Sequence, residues 1–169
     1  MAVVYRNAEV DDAAMLGMVH TNSWQAAYEG LIPQEELDAL DPEQRAEEFR
    51  AMLDPQRRAE RGVVWKVAEE AGALFGHAGA QFIDGEGHLH FLYLDPSHWD
   101  KGVGHELHEL AMDGLRSLGA TSANLKVLEG NQRAINFYER HGWTFTGERV
   151  EEEIAGITVV DVRMQKPLV

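Results

Sequence analysis

Two glycines separated by one residue mark a segment that is suited to binding a ligand. A predicted strand ends in Leu92-Tyr93-Leu94-Asp95-Pro96, and a predicted helix begins in Lys101-Gly102-Val103-Gly104-His105. The unpaired N–H groups of a helix N-terminus can bind phosphate, and glycine lets a ligand come close to the backbone. The same spacing also occurs in ordinary turns. The segment therefore has two interpretations, a phosphate-binding loop or a turn before a helix.

A second segment places an amide and a phenol on one helix face. Asn131, Ile135 and Tyr138 follow each other at steps of four and three residues. A rise of about 1.5 Å per residue separates Asn131 from Tyr138 by about 10 Å along the helix axis. Tyr138 could donate a proton at neutral pH, because a phenol has a pKa of about 10. Alternatively, Asn131 only caps the helix, and Tyr138 packs in the core or positions a cofactor.

These segments are expected to lie in a mixed α/β fold, because the hydrophobic period alternates between about 3.6 and 2 residues. Only the strand–helix–strand unit over 88–127 requires a parallel pair of strands. We therefore predict a mixed, mostly antiparallel sheet of about six or seven strands, flanked by about four or five helices. Strands are predicted over 3–6, 63–68, 73–83, 88–94, 122–127, 143–148 and 157–164, with turns at Ala71-Gly72, Asp84-Gly85 and Ala155-Gly156. Helices are predicted after Asp11-Asp12, Pro33 and Asp41-Pro42, and over 102–118 and 131–141.

Length and composition limit the possible functions. The chain has 169 residues, of which 44% are hydrophobic, so we predict a single domain spanning residues 1–169. Its 29 Asp and Glu against 15 Lys and Arg give a net charge of -14, which disfavours nucleic acid and anionic membranes as partners and favours cationic or amine-bearing molecules. The absence of cysteine excludes disulfides and cysteine nucleophiles. With neither a signal peptide nor a membrane-spanning run in the sequence, we expect a cytoplasmic protein.

Two motifs together resemble those of the GNAT superfamily of N-acetyltransferases, and the resemblance covers nearly the whole chain. The acetyl-CoA loop of that family has the form [QR]-x-x-G-x-[GA], and this chain has Trp99-Asp100-Lys101-Gly102-Val103-Gly104, with Trp99 in place of Gln or Arg. The later family pattern N-x-x-A-x-x-x-Y-x-x-x-G-[FW] is complete. It is formed by Asn131, Ala134, Tyr138, Gly142 and Trp143.

The resemblance implies an enzyme that transfers the acetyl group of acetyl-CoA to an amine by direct attack, without a required metal. It further implies that the strand ending at Leu94 separates from the next strand to admit the pantetheine arm, and that a backbone N–H there contacts the thioester oxygen. Tyr138 would be the general acid. The implied acetyl-CoA contacts are Leu92, Leu94, Lys101, Gly102, Val103, Gly104, His105, Asn131 and Tyr138.

The general base is less clearly indicated. Related enzymes often carry a carboxylate at the position of His88, and an imidazole with a pKa of about 6.5 suits proton removal. His88 is therefore our first candidate, and His90 or an ordered water are alternatives. A metal site at these two histidines would need a third ligand, which the sequence does not identify. His105 and His108 are expected to face solvent from the helix over 102–118.

The acceptor is expected to be a primary amine of a small molecule, an amino acid derivative or a peptide. By resemblance, the first two helices and the final hairpin frame its site, so Trp24 and Tyr28 are candidate wall residues; both could equally be core aromatics. Two other functions stay open: transfer from another acyl-CoA or to a non-amine acceptor, and a non-catalytic CoA-binding sensor. Exposed strand edges at the closing hairpin are compatible with a homodimer.

Overall fold

Seven strands form one central sheet in the part of the chain that the structure, a computed structural model, describes, namely residues 2–154 and 156–169. The strands are β1 (Val4–Asn7), β2 (Val63–Glu70), β3 (Ala73–Ile83), β4 (Glu86–Leu94), β5 (Ser122–Leu128), β6 (Thr144–Ile154) and β7 (Ile157–Pro167). Their spatial order is β1-β2-β3-β4-β5-β7-β6. All neighbours are antiparallel except β4 and β5, which are parallel. This architecture confirms the predicted mixed, mostly antiparallel sheet.

Six α-helices flank the sheet within the described residues. They are α1 (Ala13–Ala27), α2 (Gln34–Asp38), α3 (Pro42–Met52), α4 (Pro55–Glu60), α5 (Val103–Ser117) and α6 (Gln132–Arg140). Single 3-10 turns occur at Val10–Asp12 and Pro96–His98. None of the helices in residues 2–154 and 156–169 combines the length and the hydrophobicity needed to span a membrane. The predicted turn at Ala155-Gly156 includes Ala155, which lies outside the described residues.

The short helix α4 was not predicted from the sequence. Its six residues bury no side chain, so they carry no hydrophobic period that would indicate a helix. The helix begins at Pro55, and the carboxylate of Asp54 accepts a hydrogen bond from the Arg57 N–H at 3.1 Å. A cap and a proline are thus sufficient to start one turn and a half of surface helix.

Two hydrophobic layers cover the two faces of the sheet. One face packs against α5, whose apolar stripe of Val103, Leu107, Ala111 and Leu115 is buried. The other face packs against α1 and α3, with Phe49 fully buried. This apolar stripe fixes α5 on the sheet, and it also fixes the N-terminus of that helix beside the end of β4.

The sheet opens between β4 and β5. These strands pair only at Gly87 with Ala123 and at His88 with Asn124, although β4 continues to Leu94. On the other side of β4, the register with β3 shifts, because Phe91 and Leu89 pair with consecutive residues of β3 and leave His90 between them. Such a bulge bends the strand. The separation that the family resemblance implied is therefore present.

Candidate functional site

A cavity of about 710 Å³ lies where β4 and β5 separate. Its walls come from these two strands, the end of α1, the start of α5 and one side of α6. Most of the predicted site residues meet here. Those that line the cavity are Tyr28, Leu92, Leu94, Gly102, Gly104, His105, Asn131 and Tyr138. Those that lie outside its lining are Trp24, His88, Lys101 and Val103, of which Val103 is buried in the core beneath α5.

The N-terminus of α5 opens onto this cavity. Gly102 is the N-cap residue and has a φ of 83°, a left-handed conformation that favours glycine. A Cβ on Gly102 would meet no atom within 4 Å, so the backbone conformation and not crowding requires glycine there. The first N–H groups of a helix have no intrahelical acceptor. With Gly104 also in the cavity wall, the backbone presents donors and a positive helix end to an anion.

Trp99, the residue that departs from the family pattern, holds the loop before α5 on the end of β4. Its indole Nε1 donates to the Leu94 carbonyl oxygen at 3.0 Å. The Arg133 guanidinium lies 4.2 Å from the centre of the indole ring and bonds Asp100 at 3.0 Å. A tryptophan at this position therefore contributes a cation–π contact and a loop anchor in place of a polar side chain.

Ser23 and Arg133 belong to this site, and the sequence analysis did not single them out. The Ser23 hydroxyl donates to the Leu94 carbonyl oxygen at 2.7 Å, so α1 and the loop share one acceptor. Arg133 lies in the second family motif, but its contact with Trp99 depends on how α6 packs. No spacing rule in the sequence indicates either contact.

Asn131 and Tyr138 mark the two ends of the α6 side of the cavity. The Asn131 side chain caps α6 by accepting from the Ala134 N–H at 3.4 Å, and the same residue lines the cavity. Burial, with a smaller contribution from Tyr93, raises the pKa of Tyr138 well above its ordinary value. The phenol therefore carries its proton at neutral pH, as a proton donor must.

The histidines of β4 differ in their relation to the cavity. His90 lines it, whereas the His88 Nδ1 lies 3.1 Å from the Asn124 side-chain oxygen. The two rings stack with their centres 6.1 Å apart. Partial burial lowers the pKa of His90, and nearby His88 and Lys126 lower it further. The geometry thus favours the second candidate base over the first, and the role of base stays a prediction.

The predicted acceptor wall contains Tyr28 but not Trp24. The Trp24 ring packs edge-on against Tyr28 with centres 4.8 Å apart, outside the lining. Tyr93, which the sequence analysis did not name as a wall residue, lines the cavity together with Tyr28. Burial and the neighbouring Tyr93 raise the pKa of Tyr28 well above its ordinary value. The wall therefore presents neutral phenols to a bound molecule.

The prediction that His108 faces solvent is wrong. His108 is fully buried, and its Nε2 accepts a hydrogen bond from the Trp143 indole at 2.9 Å. Its Nδ1 must then carry the proton, which it donates to the Glu109 carboxylate at 3.0 Å. The buried face of α5 is wider than its apolar stripe, because it also contacts the segment after α6. His105 is exposed, as expected.

Comparisons with known proteins agree with this architecture. The model of the acetyltransferase (GNAT) family matches residues 24–143. The uncharacterized N-acetyltransferase YuaI of Bacillus subtilis (strain 168) is 28% identical over 173 residues, which cover 98% of this chain and 93% of the relative. The PaiA N-acetyltransferase of Thermoplasma acidophilum, solved in complex with coenzyme A, has a TM-score of 0.81 at 21% identity, with 99% of each chain covered. YncA of Salmonella typhimurium, solved with its cofactor acetyl-CoA, has a TM-score of 0.73 at 20% identity, with 100% of this chain and 95% of that chain covered. Because the family model covers well over half of the sequence, this chain belongs to the GNAT family of acetyltransferases.

Proposed function

We propose that this protein is an N-acetyltransferase that moves the acetyl group of acetyl-CoA onto a primary amine of a small molecule, an amino acid derivative or a peptide. One observation carries the proposal: a single cavity joins the N-terminus of α5, the separated ends of β4 and β5, and the phenol of Tyr138. The two solved relatives with coenzyme A and acetyl-CoA share this fold.

The residues present suit acetyl-CoA in charge and shape. The helix end at Gly102 and Gly104 offers N–H donors for a pyrophosphate. The opening between β4 and β5 exposes backbone groups near Leu92 and Leu94, which could bond the amides of a pantetheine arm. Arg133 supplies a cation at the same rim. Acetyl-CoA, when bound, supplies an activated acetyl thioester.

Two side chains have the properties that proton transfer requires. A primary alkylamine is mostly protonated at neutral pH, since its pKa is about 10.4, so a base must take a proton before attack. His90 lines the cavity with a lowered pKa and is therefore the proposed base, directly or through water. Tyr138 holds a proton that it can give to a leaving thiolate. Neither role requires a covalent bond to the protein.

The proposed acceptor binds beside the phenols of Tyr28 and Tyr93. The net charge of -14 attracts a cationic amine to the protein as a whole.

We also propose a homodimer, because β6 is an outer strand of the sheet with an open edge. Light scattering measures the mass of the protein in solution. The mass of a monomer would contradict the proposed homodimer.

Calorimetric titration with acetyl-CoA, coenzyme A and ATP, in buffer that contains a chelator, tests the proposal. We expect saturable binding of acetyl-CoA and coenzyme A, and none of ATP at the same concentrations. Thiol release with a panel of primary amines, polyamines and short peptides then identifies the acceptor class. Binding of acetyl-CoA without turnover on any amine would indicate a sensor. Failure to bind either coenzyme would contradict the assignment altogether.

A further inference from the structure

Three side chains with metal-binding atoms meet between α5 and the end of α6. His105 and Glu109 lie one turn apart on α5, and His141 is the C-cap residue of α6. Their ligand atoms all lie within 4.8 Å of one another. The His105 Nδ1 and the His141 Nε2 are 2.9 Å apart. Residues distant in sequence thus bring two imidazoles and a carboxylate to one point.

The hydrogen bond that His141 donates leaves the lone pair of its Nε2 as the metal-binding position. Its Nδ1 lies 2.7 Å from the Phe137 carbonyl oxygen, which can only accept, so Nδ1 carries the proton. The lone pair on Nε2 then points towards His105. A hydrogen bond from the distal ring nitrogen to a carbonyl is the usual way in which proteins orient a metal-binding histidine.

The carboxylate is oriented in the same manner. Glu109 accepts from the Nδ1 of the fully buried His108, which in turn accepts from the Trp143 indole. These outer contacts orient the Glu109 carboxylate through its Oε1. Two of the three ligands therefore have defined hydrogen-bond partners behind them.

We propose that His105, Glu109 and His141 form a binding site for one divalent transition metal ion, such as Zn²⁺ or Ni²⁺. Imidazole nitrogens with one carboxylate suit these ions, whereas Mg²⁺ and Ca²⁺ prefer oxygen ligands throughout. The His105 proton moves from Nδ1 to Nε2 when the ion binds, so no proton need be lost. Ligands on a tetrahedral ion lie about 3.4 Å apart, a small opening that the exposed His105 side chain can provide.

The position of this site suggests what the ion would do. His105 and His141 both line the cavity, and His105 follows Gly104 directly. An ion there would link α5 to α6 across one wall of the cavity, close to the N–H groups at the helix start. The proposed proton transfers use other residues, so this site is separate from the transfer chemistry, and its test does not depend on acetyl-CoA.

Calorimetric titration of the untagged, metal-free full chain with ZnCl₂, and separately with NiCl₂ and MgCl₂, tests the proposal. We expect one Zn²⁺ or Ni²⁺ per chain and no binding of Mg²⁺. The variants His105→Gln, Glu109→Gln and His141→Asn should each weaken Zn²⁺ binding by on the order of 100-fold. His90→Gln is the matched control, because it alters a different histidine pair, whose rings stack on β4, and it should keep the wild-type affinity.

Thermal melting separates loss of a ligand from loss of the fold. Excess Zn²⁺ should raise the Tm of the wild type and of His90→Gln but not that of His105→Gln, whose exposed side chain can change without disturbing the core. Absence of saturable Zn²⁺ and Ni²⁺ binding would overturn the proposal. So would wild-type affinity in the His105→Gln and Glu109→Gln variants, or loss of binding in His90→Gln.

Discussion

At the scale of single residues, the phenol of Tyr138 is more deeply buried than the other proposed catalytic side chain, His90. Burial disfavours its ionised form, so it stays protonated over the whole range in which the protein would work. A buried acid next to a cavity can pass its proton to a leaving group and recover it afterwards. This role predicts a loss of turnover that is separate from binding.

Tyr138→Phe should lower kcat by about 10²–10⁴-fold, the usual contribution of a general acid, while the Kd for acetyl-CoA stays within about threefold. Thiol release and calorimetry measure the two quantities. Tyr5→Phe is the matched control, since Tyr5 is a half-buried phenol that packs against the core and does not line the cavity. An unchanged kcat, or a loss confined to affinity, would assign Tyr138 to cofactor positioning.

His90 predicts a particular pH profile. A base must be neutral to accept a proton, and a lowered pKa keeps His90 neutral at more acidic pH than an ordinary histidine. As the pH is lowered, kcat/KM should therefore decrease only below about pH 6.5. This decrease should be absent in His90→Gln. His88→Gln should have the smaller effect. A wild-type profile in both variants would favour water as the proton acceptor.

At the scale of elements, the carbonyl of Leu94 joins three parts of the fold. It ends β4, and it accepts from Ser23 on α1 and from Trp99 in the loop before α5. These bonds hold the glycine loop in one position relative to the opened strands. Fixed donors bind an anion more tightly than mobile ones, because less order must be gained on binding.

Trp99→Phe removes the indole donor but keeps a ring beneath Arg133. Loss of about 1 kcal/mol for one hydrogen bond should weaken acetyl-CoA binding by about fivefold. Calorimetry measures this change. Ser97→Ala in the same loop is the control, because the Ser97 hydroxyl bonds to the adjacent His98 and not, among the described residues, to the end of β4. If Trp99→Phe binds acetyl-CoA as tightly as the wild type, the indole anchor does not order the loop.

At the scale of the whole molecule, two buried histidines make stability depend on pH. Burial lowers the pKa of His20 to about 2 and that of His77 to about 3. The His77 Nδ1 accepts from the Trp65 indole at 3.1 Å, and within the described residues neither nitrogen of His20 has a hydrogen-bond partner. Both rings are therefore neutral in the folded protein.

The free energy of unfolding should fall as pH decreases from 7 to 4. Below about pH 6.5 the unfolded chain binds a proton at each histidine and the folded protein does not, so each contributes up to about 1.4 kcal/mol per pH unit. Urea unfolding at pH 7, 6 and 5 measures the slope. His20→Phe should reduce it. An equal slope in His20→Phe would mean that His20 is not held neutral.

The sequence predicted the hairpins and the two motif-bearing helices, because these depend on local hydrophobic periods and glycine stops. Gly102, Asn131 and Tyr138 could be placed for the same reason, since each lies at a fixed offset in a regular helix or at its start. What joins them is the packing of α6 against the loop before α5, which the motif order alone does not specify.

The features that the sequence did not indicate have physical causes that lie outside local patterns. The bulge at His90 adds one residue to β4 and bends the strand beside the cavity. His108 is buried because Trp143, 35 residues away, supplies a hydrogen bond to its ring. Such pairings depend on tertiary distance, which the spacing of residues along the chain does not encode.

The position of β7 has a consequence for how the chain is made. β7 covers Ile157–Pro167 near the C-terminus of the chain, yet it lies between β5 and β6 and pairs with all seven residues of β5. A ribosome delivers residues in order, so β1 to β4 can pair while the rest is still being synthesised. β5 can pair with β7 only after residue 157 and those after it have emerged from the ribosome. The β5 wall of the cavity therefore gains its second neighbour only after residues 157–167 have been synthesised.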